Sequence, residues 1–258
     1  MTFHELHQAA APLLLPNAWD VPSALAFLDA GFTAIGTTSF GVASSLGRPD
    51  GERASKAANL ALAHALSSLP AYISVDIEDG YDDDPDQVAA YVAELAAAGA
   101  AGINIEDSTA ENLIAPGAHA AKVVEIKRLS PGLFINARVD TYWLGQDATV
   151  EATLDRAAQY VQAGADGIFV PGATQPTDLR EITSSLEVPV NTLLIPGLSL
   201  DELAQFGVRR VSTGSLPYRA AIHAAVETAR ATRAGQPAPP AIPYPDLQAL
   251  LTSYARES

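Results

Sequence analysis

Short apolar runs that stop at polar residues alternate along this chain with Ala-rich amphipathic stretches, and the joint between the two recurs. Four segments share one phrase, an Ala-rich end, a glycine, a few residues and an apolar run closing on polar groups: AGFTAIGTTS (30–39), AGAAGINIEDS (98–108), AGADGIFVPGA (163–173) and FGVRRVSTGS (206–215). The glycine suits the left-handed residue that closes a helix, and each run has the length of a buried parallel strand. Four further runs end the same way: LLLPNAWD (13–20), AYISVDIED (71–79), LFINARVD (133–140) and VPVNTLL (188–194). Helical stretches separate them, at about 20–30, 53–67, 86–99, 117–129, 148–163, 177–185, 199–206 and 217–234. Eight strands alternating with eight helices predict an α/β protein, a (βα)8 TIM barrel with its active site at the C-terminal ends of the strands. An open doubly wound sheet is the alternative, and the lack of a Gly-x-Gly-x-x-Gly turn after the first strand counts against its nucleotide-binding form.

The barrel is expected over residues 1–234. Residues 235–258 form a C-terminal arm: Gly235 to Pro245 holds five prolines, which break helix, and 246–257 reads as a short terminal helix. The tail either packs on the barrel or a neighbour, or frays.

Composition narrows the function. At 258 residues with 48% hydrophobic and 17% charged residues, the chain has ample material for one large core. Thirty acidic against fifteen basic residues give a net charge of -15, which repels a phosphate backbone, so nucleic acid is not an expected partner. An anionic ligand then needs a local positive charge, a metal or a buried arginine. The absence of cysteine excludes disulfides, thiolate metal sites and a cysteine nucleophile. The start lacks the order of a signal peptide and no apolar run is long enough to span a bilayer, so a cytoplasmic protein without membrane contact is expected.

In a barrel the polar strand ends converge on one mouth. They are Asn17, Trp19, Asp20, Thr37, Thr38, Ser39, Asp76, Glu78, Asp79, Glu106, Asp107, Arg138, Asp140, Asn191, Thr192, Ser212, Thr213 and Ser215. Carboxylates gathered in one cavity repel one another unless protonated or neutralised. Oxygen ligands without Cys, and without His at any strand end, point to a hard ion, Mg²⁺ or Mn²⁺. Asp76 and Glu78 are the first candidates, whereas the run Asp79 to Asp86 reads mainly as a solvated loop. Arg138 ends an apolar run. It either neutralises neighbouring carboxylates or grips the acid group of a substrate. The histidines 4, 7, 64, 119 and 223 fall in helical or loop stretches and read as surface or packing residues, with His119 the one nearest a strand-end loop.

Four segments resemble the isocitrate lyase/phosphoenolpyruvate mutase superfamily over roughly residues 10–230. VDIEDGY (75–81) resembles its Asp-x-Asp-x-Gly-Tyr/Phe metal segment, INIEDS (103–108) its Ile-Glu-Asp segment, INARVDTY (135–142) its Ala-Arg segment, and GTTSFGVASSLGRPD (36–50) its second-strand loop. The resemblance implies Asp76 as a direct metal ligand, Glu78, standing where an Asp is usual, as a further metal residue, Glu106 as a direct or water-mediated one, and Arg138 as the grip on the acid. It also implies an oxyanion-binding turn at Thr38, Ser39 and Phe40, with Asp50 as an active-site aspartate. The implied chemistry is Mg²⁺-dependent cleavage or formation of a bond next to a stabilised enolate of a 2-oxo or 2-hydroxy acid. A homo-oligomer, dimer or tetramer, is implied as well.

The chain departs from the lyases and mutases where they choose their reaction. The segment STAENLIAPGAHAAK (108–122) has no cysteine and no lysine before Lys122, and Pro171 stands where a Glu or His is usual. VPVNTLLIPGLSLDELAQFGVRRVSTG (188–214) resembles a less defined branch, with Asn191 as a possible substrate ligand. Three readings follow: a metal-dependent carbon–carbon lyase or decarboxylase; a hydrolase of a phosphonate or acyl bond using Asp50 or a metal-bound water; and a non-catalytic oxyacid-binding protein.

Overall fold

The computed structural model describes residues 1–257. Its frame is eight parallel strands: β1 (Leu13–Leu15 continuing as Asn17–Ala18), β2 (Ala34–Thr37), β3 (Tyr72–Asp76), β4 (Gly102–Glu106), β5 (Phe134–Arg138), β6 (Gly167–Phe169), β7 (Val190–Leu193) and β8 (Arg210–Ser212). Each pairs with the next in chain order, and β1 closes the ring. Pro16, which has no N–H to donate, splits β1: Leu13–Leu15 pairs with β8 and Asn17–Ala18 with β2. The closed TIM barrel expected from the alternating pattern is therefore the fold.

Successive strand residues face opposite sides. The outward ones, including Ile73, Val75, Ile103, Ile105, Ile135, Ile168 and Val211, are all buried and form the main core under the covering helices. Seven helices supply that cover: Val21–Asp29, Lys56–Leu66, Pro85–Ala97, Pro116–Leu129, Val150–Gln162, Pro176–Ser185 and Leu200–Gln205. The eighth, Leu216–Arg233, has no buried residue. The terminal helix runs Tyr244–Glu257, two residues earlier than the proline run suggested, because Pro245 lies in a first turn, where proline is tolerated. It packs on Val21–Asp29, and Tyr254 OH donates to Ala65 O at 2.8 Å.

Inside the barrel the layers differ. The N-terminal end is plugged by Phe3, Leu15, Ala34 and Phe134, with Phe3 from a short helix (Phe3–Leu6) crossing the floor and the His7 ring stacked 4.1 Å from that of Phe134. A Cβ on Gly102 would lie 2.8 Å from Phe3 and 2.9 Å from Phe134 O, so only glycine lets the plug seat. Bulky branched residues usually fill barrel interiors. Here the middle layer is polar: Asn136 Nδ2 and Arg210 Nη2 both donate to Asn104 Oδ1, at 2.9 and 3.0 Å. Arg210 is fully buried, and burial pulls its guanidinium down to about 9, opposed by Asp76. Among the described residues no helix is long and apolar enough to cross a membrane.

Candidate active site

Above this layer the strand ends open into two adjoining cavities. One, of about 120 Å³, is lined on one side by Thr38, Ser39, Asp76, Asn104 and Arg138, and on the other by Phe169, Pro171 and Leu193. The second, of about 240 Å³, is lined by Glu78, Asp79, Glu106 and the turn 108–111. Asp50, Arg138 and Trp143 border both. A larger, open hollow of about 700 Å³ lies at the opposite end beside Arg180, Phe206 and Arg209, away from the strand-end carboxylates.

Arg138 is the centre of charge. Its Nη1 lies 2.5 Å from Glu106 Oε2 and its Nε 2.6 Å from Asp140 Oδ1, while the guanidinium sits over the Trp143 and Phe169 rings at 5.5 and 5.8 Å. Burial works against its charge, but Glu106, Asp140 and Asp76 outweigh it and hold the cation above its ordinary range. Both hydrogens on Nη2 and one on Nη1 remain for a ligand. Around it sits an excess of carboxylates. Burial pushes Glu106 well up, Arg138 opposing and Asp140, Asp76 and Asp50 adding to the rise. Asp50, exposed as a residue, turns its carboxyl into the mouth, where burial and then Asp76 raise it. Glu78 is also raised by burial, against hydrogen bonds from Ser55 Oγ at 2.6 Å and Arg53 N at 2.9 Å. Asp76 Oδ2 accepts from Ser39 N at 3.0 Å, so the turn at Thr38–Phe40 already engages a carboxylate.

Arg53, Ser108, Thr109, Arg156 and Tyr160, absent from the strand-end list, hold this set. Asp107 accepts from Tyr160 OH at 2.6 Å, Arg156 Nη1 at 2.8 Å and Asp140 N at 2.9 Å, and Ser108 Oγ donates to Asp140 Oδ2 at 2.6 Å. Thus the helix Val150–Gln162 fixes Asp140 and, through it, Arg138. Arg53 pairs with Asp79 and Asp83, and Thr109 Oγ1 also donates to Asp79, at 2.6 Å, so three strand-end loops meet at one carboxylate. Arg53, Glu78, Tyr81, Ala110 and Glu111 all have positive φ, a conformation that costs L residues energy and is kept where surrounding contacts enforce it.

Comparison with known proteins gives the family. Residues 3–233 match the family described as phosphoenolpyruvate phosphomutase. The chain belongs to that family. An uncharacterised protein of Mycobacterium tuberculosis is 58% identical over 98% of this chain and 97% of its own length. An oxaloacetate decarboxylase of Pseudomonas entomophila is 33% identical over 65% of this chain and 60% of its own, and a 2-methylisocitrate lyase of Bacillus subtilis 29% identical over 73% and 64%. A crystal structure from Burkholderia cenocepacia J2315, described as a lyase/mutase, superposes with a TM-score of 0.88 at 32% identity, covering 97% of this chain and 94% of that one. The resemblance to the isocitrate lyase/phosphoenolpyruvate mutase superfamily is thereby established.

Within this phosphoenolpyruvate phosphomutase family member, the predicted residues divide. Thr38, Ser39, Phe40, Asp50, Asp76 and Arg138 line one cavity, and Glu78 and Glu106 the next. Asn191 lies lower, buried and bonded to Ser212 at 3.3 Å, and is not among the lining residues. Asp20 caps the helix Val21–Asp29 and Trp19 packs edge-on against Tyr218. His119 is wholly buried against Tyr160, away from both cavities. Among the described residues no three carboxylates or histidines converge closely enough to cage an ion. Asp76, Glu78 and Glu106 each face a different internal partner instead. Their oxygen-only, mutually repelling set nonetheless fits a hard divalent ion that takes one or two carboxylates and fills its remaining positions with water.

Proposed function

We propose that this chain is a Mg²⁺- or Mn²⁺-dependent lyase or decarboxylase acting on a small 2-oxo or 2-hydroxy carboxylic acid. The observation that carries the reading is the Arg138 guanidinium, with three N–H groups unclaimed, set among Asp50, Asp76 and Glu106 over a cavity of about 120 Å³. That volume is well below the roughly 300–1,000 Å³ of sites for drug-sized ligands, which supports a small acid. Asp76, with Glu78 and Glu106, would hold the ion, which would supply Lewis-acid polarisation of the acid's oxygens. Arg138 orients the carboxylate and meets negative charge that develops on the oxo oxygen. Asp50, which borders both cavities and whose carboxyl is raised by burial and then by Asp76, serves as the acid or base at the rim.

Calorimetry with oxalate in the presence and absence of Mg²⁺ tests the reading, followed by turnover of a panel of 2-oxo and 2-hydroxy acids. Expected are Mg²⁺-dependent oxalate binding and release of a 2-oxo acid. Silence toward oxalate with either metal sinks it, and phosphate release from phosphonopyruvate would transfer the chain to the hydrolase reading. The assembly reading is a homo-oligomer: the helix Leu216–Arg233 leaves Leu216, Ile222 and Val226 exposed on a helix with no buried residue. A monomer by light scattering would refute that part.

A further inference from the structure

The polar layer beneath the cavity holds a cation that no carboxylate meets. Arg210, on β8, is fully buried, and its partners are two neutral oxygens, Asn104 Oδ1 at 3.0 Å and Ser74 Oγ at 3.4 Å. Its Nε and Nη1 have no partner among the described residues. A buried guanidinium left in this state costs stability, and branched apolar side chains usually fill the interior of a barrel. The cost points to a role in the cavity above.

Asn104 connects the two. The inward residues of β4, Gly102, Asn104 and Glu106, rise from floor to mouth, and Asn104 stands in register with Asp76 on one side and Asn136 on the other. A guanidinium carries donors only, so the Asn104 atom that faces Arg210 has to be its oxygen, and Asn136 Nδ2 donates to the same oxygen at 2.9 Å. Flipping the amide would set its own N–H groups against two donors. Nδ2 is thereby fixed on the other side of the amide. It has no hydrogen-bond partner among the described residues, yet it is not sealed in as Arg210 Nε and Nη1 are. Asn104 lines the cavity of about 120 Å³ together with Asp76 and Arg138.

We infer that Asn104 is a substrate-binding residue whose Nδ2 donates to an oxygen of the bound acid from the cavity floor, with Arg210 as the positioning residue that fixes and polarises its amide. This deepens the oxyacid reading above and rests on it. A hydrogen bond accepted by an amide oxygen strengthens the donors on its nitrogen. The charge of Arg210 thus reaches the ligand through a neutral group. A cation in the place of Asn104 would instead compete for Asp76 with the divalent ion. A donor already held in place gains most as negative charge gathers on the oxygen it meets, because nothing has to reorganise at that moment.

The test is a crystal structure of the unaltered full-length protein with Mg²⁺ and oxalate, joined to calorimetry of oxalate binding to the Mg²⁺-loaded protein. An oxalate oxygen is expected within about 3.2 Å of Asn104 Nδ2, and a longer separation overturns the inference. Asn104→Leu, similar in size but without a donor, should weaken oxalate at least about tenfold while Mg²⁺ affinity changes less than about threefold. Unchanged oxalate affinity in that variant also overturns it. Arg210→Met removes the unmet charge, so Tm should hold or rise although oxalate binds about three- to tenfold more weakly. A purely structural arginine would give the reverse, a lower Tm with oxalate affinity unchanged, and that result overturns the positioning role. Failure of the unaltered protein to bind oxalate overturns the parent reading, and this one with it. Should either variant fail to fold, the contact in the unaltered complex decides.

Discussion

The two ends of this barrel are built on opposite principles. At the floor, Phe3, Phe134, Leu15 and the stacked His7 ring fill the barrel with apolar contact, and His7 Nδ1 lies 2.8 Å from Phe3 O. At the mouth, Asp50, Glu78 and Glu106 are each held above their ordinary range, and residues with positive φ gather in the loops. The floor is arranged for stability. The mouth tolerates repulsion and strain, which is the pattern expected where function and stability conflict.

The largest effect should come from Asp76→Ala. It removes the carboxylate that faces Ser39 N and stands nearest the proposed ion, so Mg²⁺-dependent oxalate affinity should fall by at least about a hundredfold. Tm should hold or rise, because one member of a repelling set is gone. A large loss of Tm with affinity retained would break the contrast. Phe134→Ala makes the reciprocal test at the floor. Losing a side chain packed edge-on against Phe3 at 5.5 Å should cost about 3–5 kcal/mol in urea unfolding, with oxalate affinity nearly unchanged.

Proton linkage runs with opposite sign for the buried histidines, His7 at the floor and His119 under the covering helices, and for the mouth carboxylates. Burial, followed by Arg210, holds His7 down to about 3 against 6.5 in the unfolded chain, and burial does the same to His119. Their contribution is fully present above pH 6.5 and is lost as pH falls from there toward about 3, at up to about 1.4 kcal/mol per pH unit for each. The raised mouth carboxylates act in the other direction: their contribution is present below about pH 4 and lost as pH rises through their elevated values. His7→Phe keeps the stacking and should remove about half of the acid-side loss measured by urea unfolding between pH 6.5 and 4. An unaltered slope would show that His7 is not neutral in the folded floor.

How much of this was legible in the sequence follows from where charge meets burial. Short apolar runs, ended by polar residues and spaced by helix-closing glycines, announced strands and barrel because both sides of a closed parallel sheet are covered. Asp76, Glu106 and Arg138 were legible as polar groups at the close of such runs. Arg210, Asn104 and Asn136 were not, because a polar residue at period two reads as a solvent face, and here the face is the barrel's interior. Arg156 and Tyr160, four apart on an amphipathic helix, read as a surface pair although they anchor the buried Asp107. Arg53 lies in a loop without periodicity, and only the fold brings it to Asp79.

The smallest predicted effect tests whether the mouth depends on the helices behind it. Tyr160→Phe removes the 2.6 Å hydrogen bond to Asp107 but leaves Arg156 Nη1 on the same oxygen, at 2.8 Å. The loss should be about 1.5 kcal/mol of stability, the lower end of the range for one hydrogen bond to a charged group, because Arg156 stays in place. Oxalate affinity should change less than about threefold, because Asp140 N still meets Asp107 and Asp140 still orients Arg138. If affinity instead falls in step with stability, the geometry of Arg138 is set by the outer helix layer as much as by the strand end. Mouth and scaffold would then be one cooperative unit.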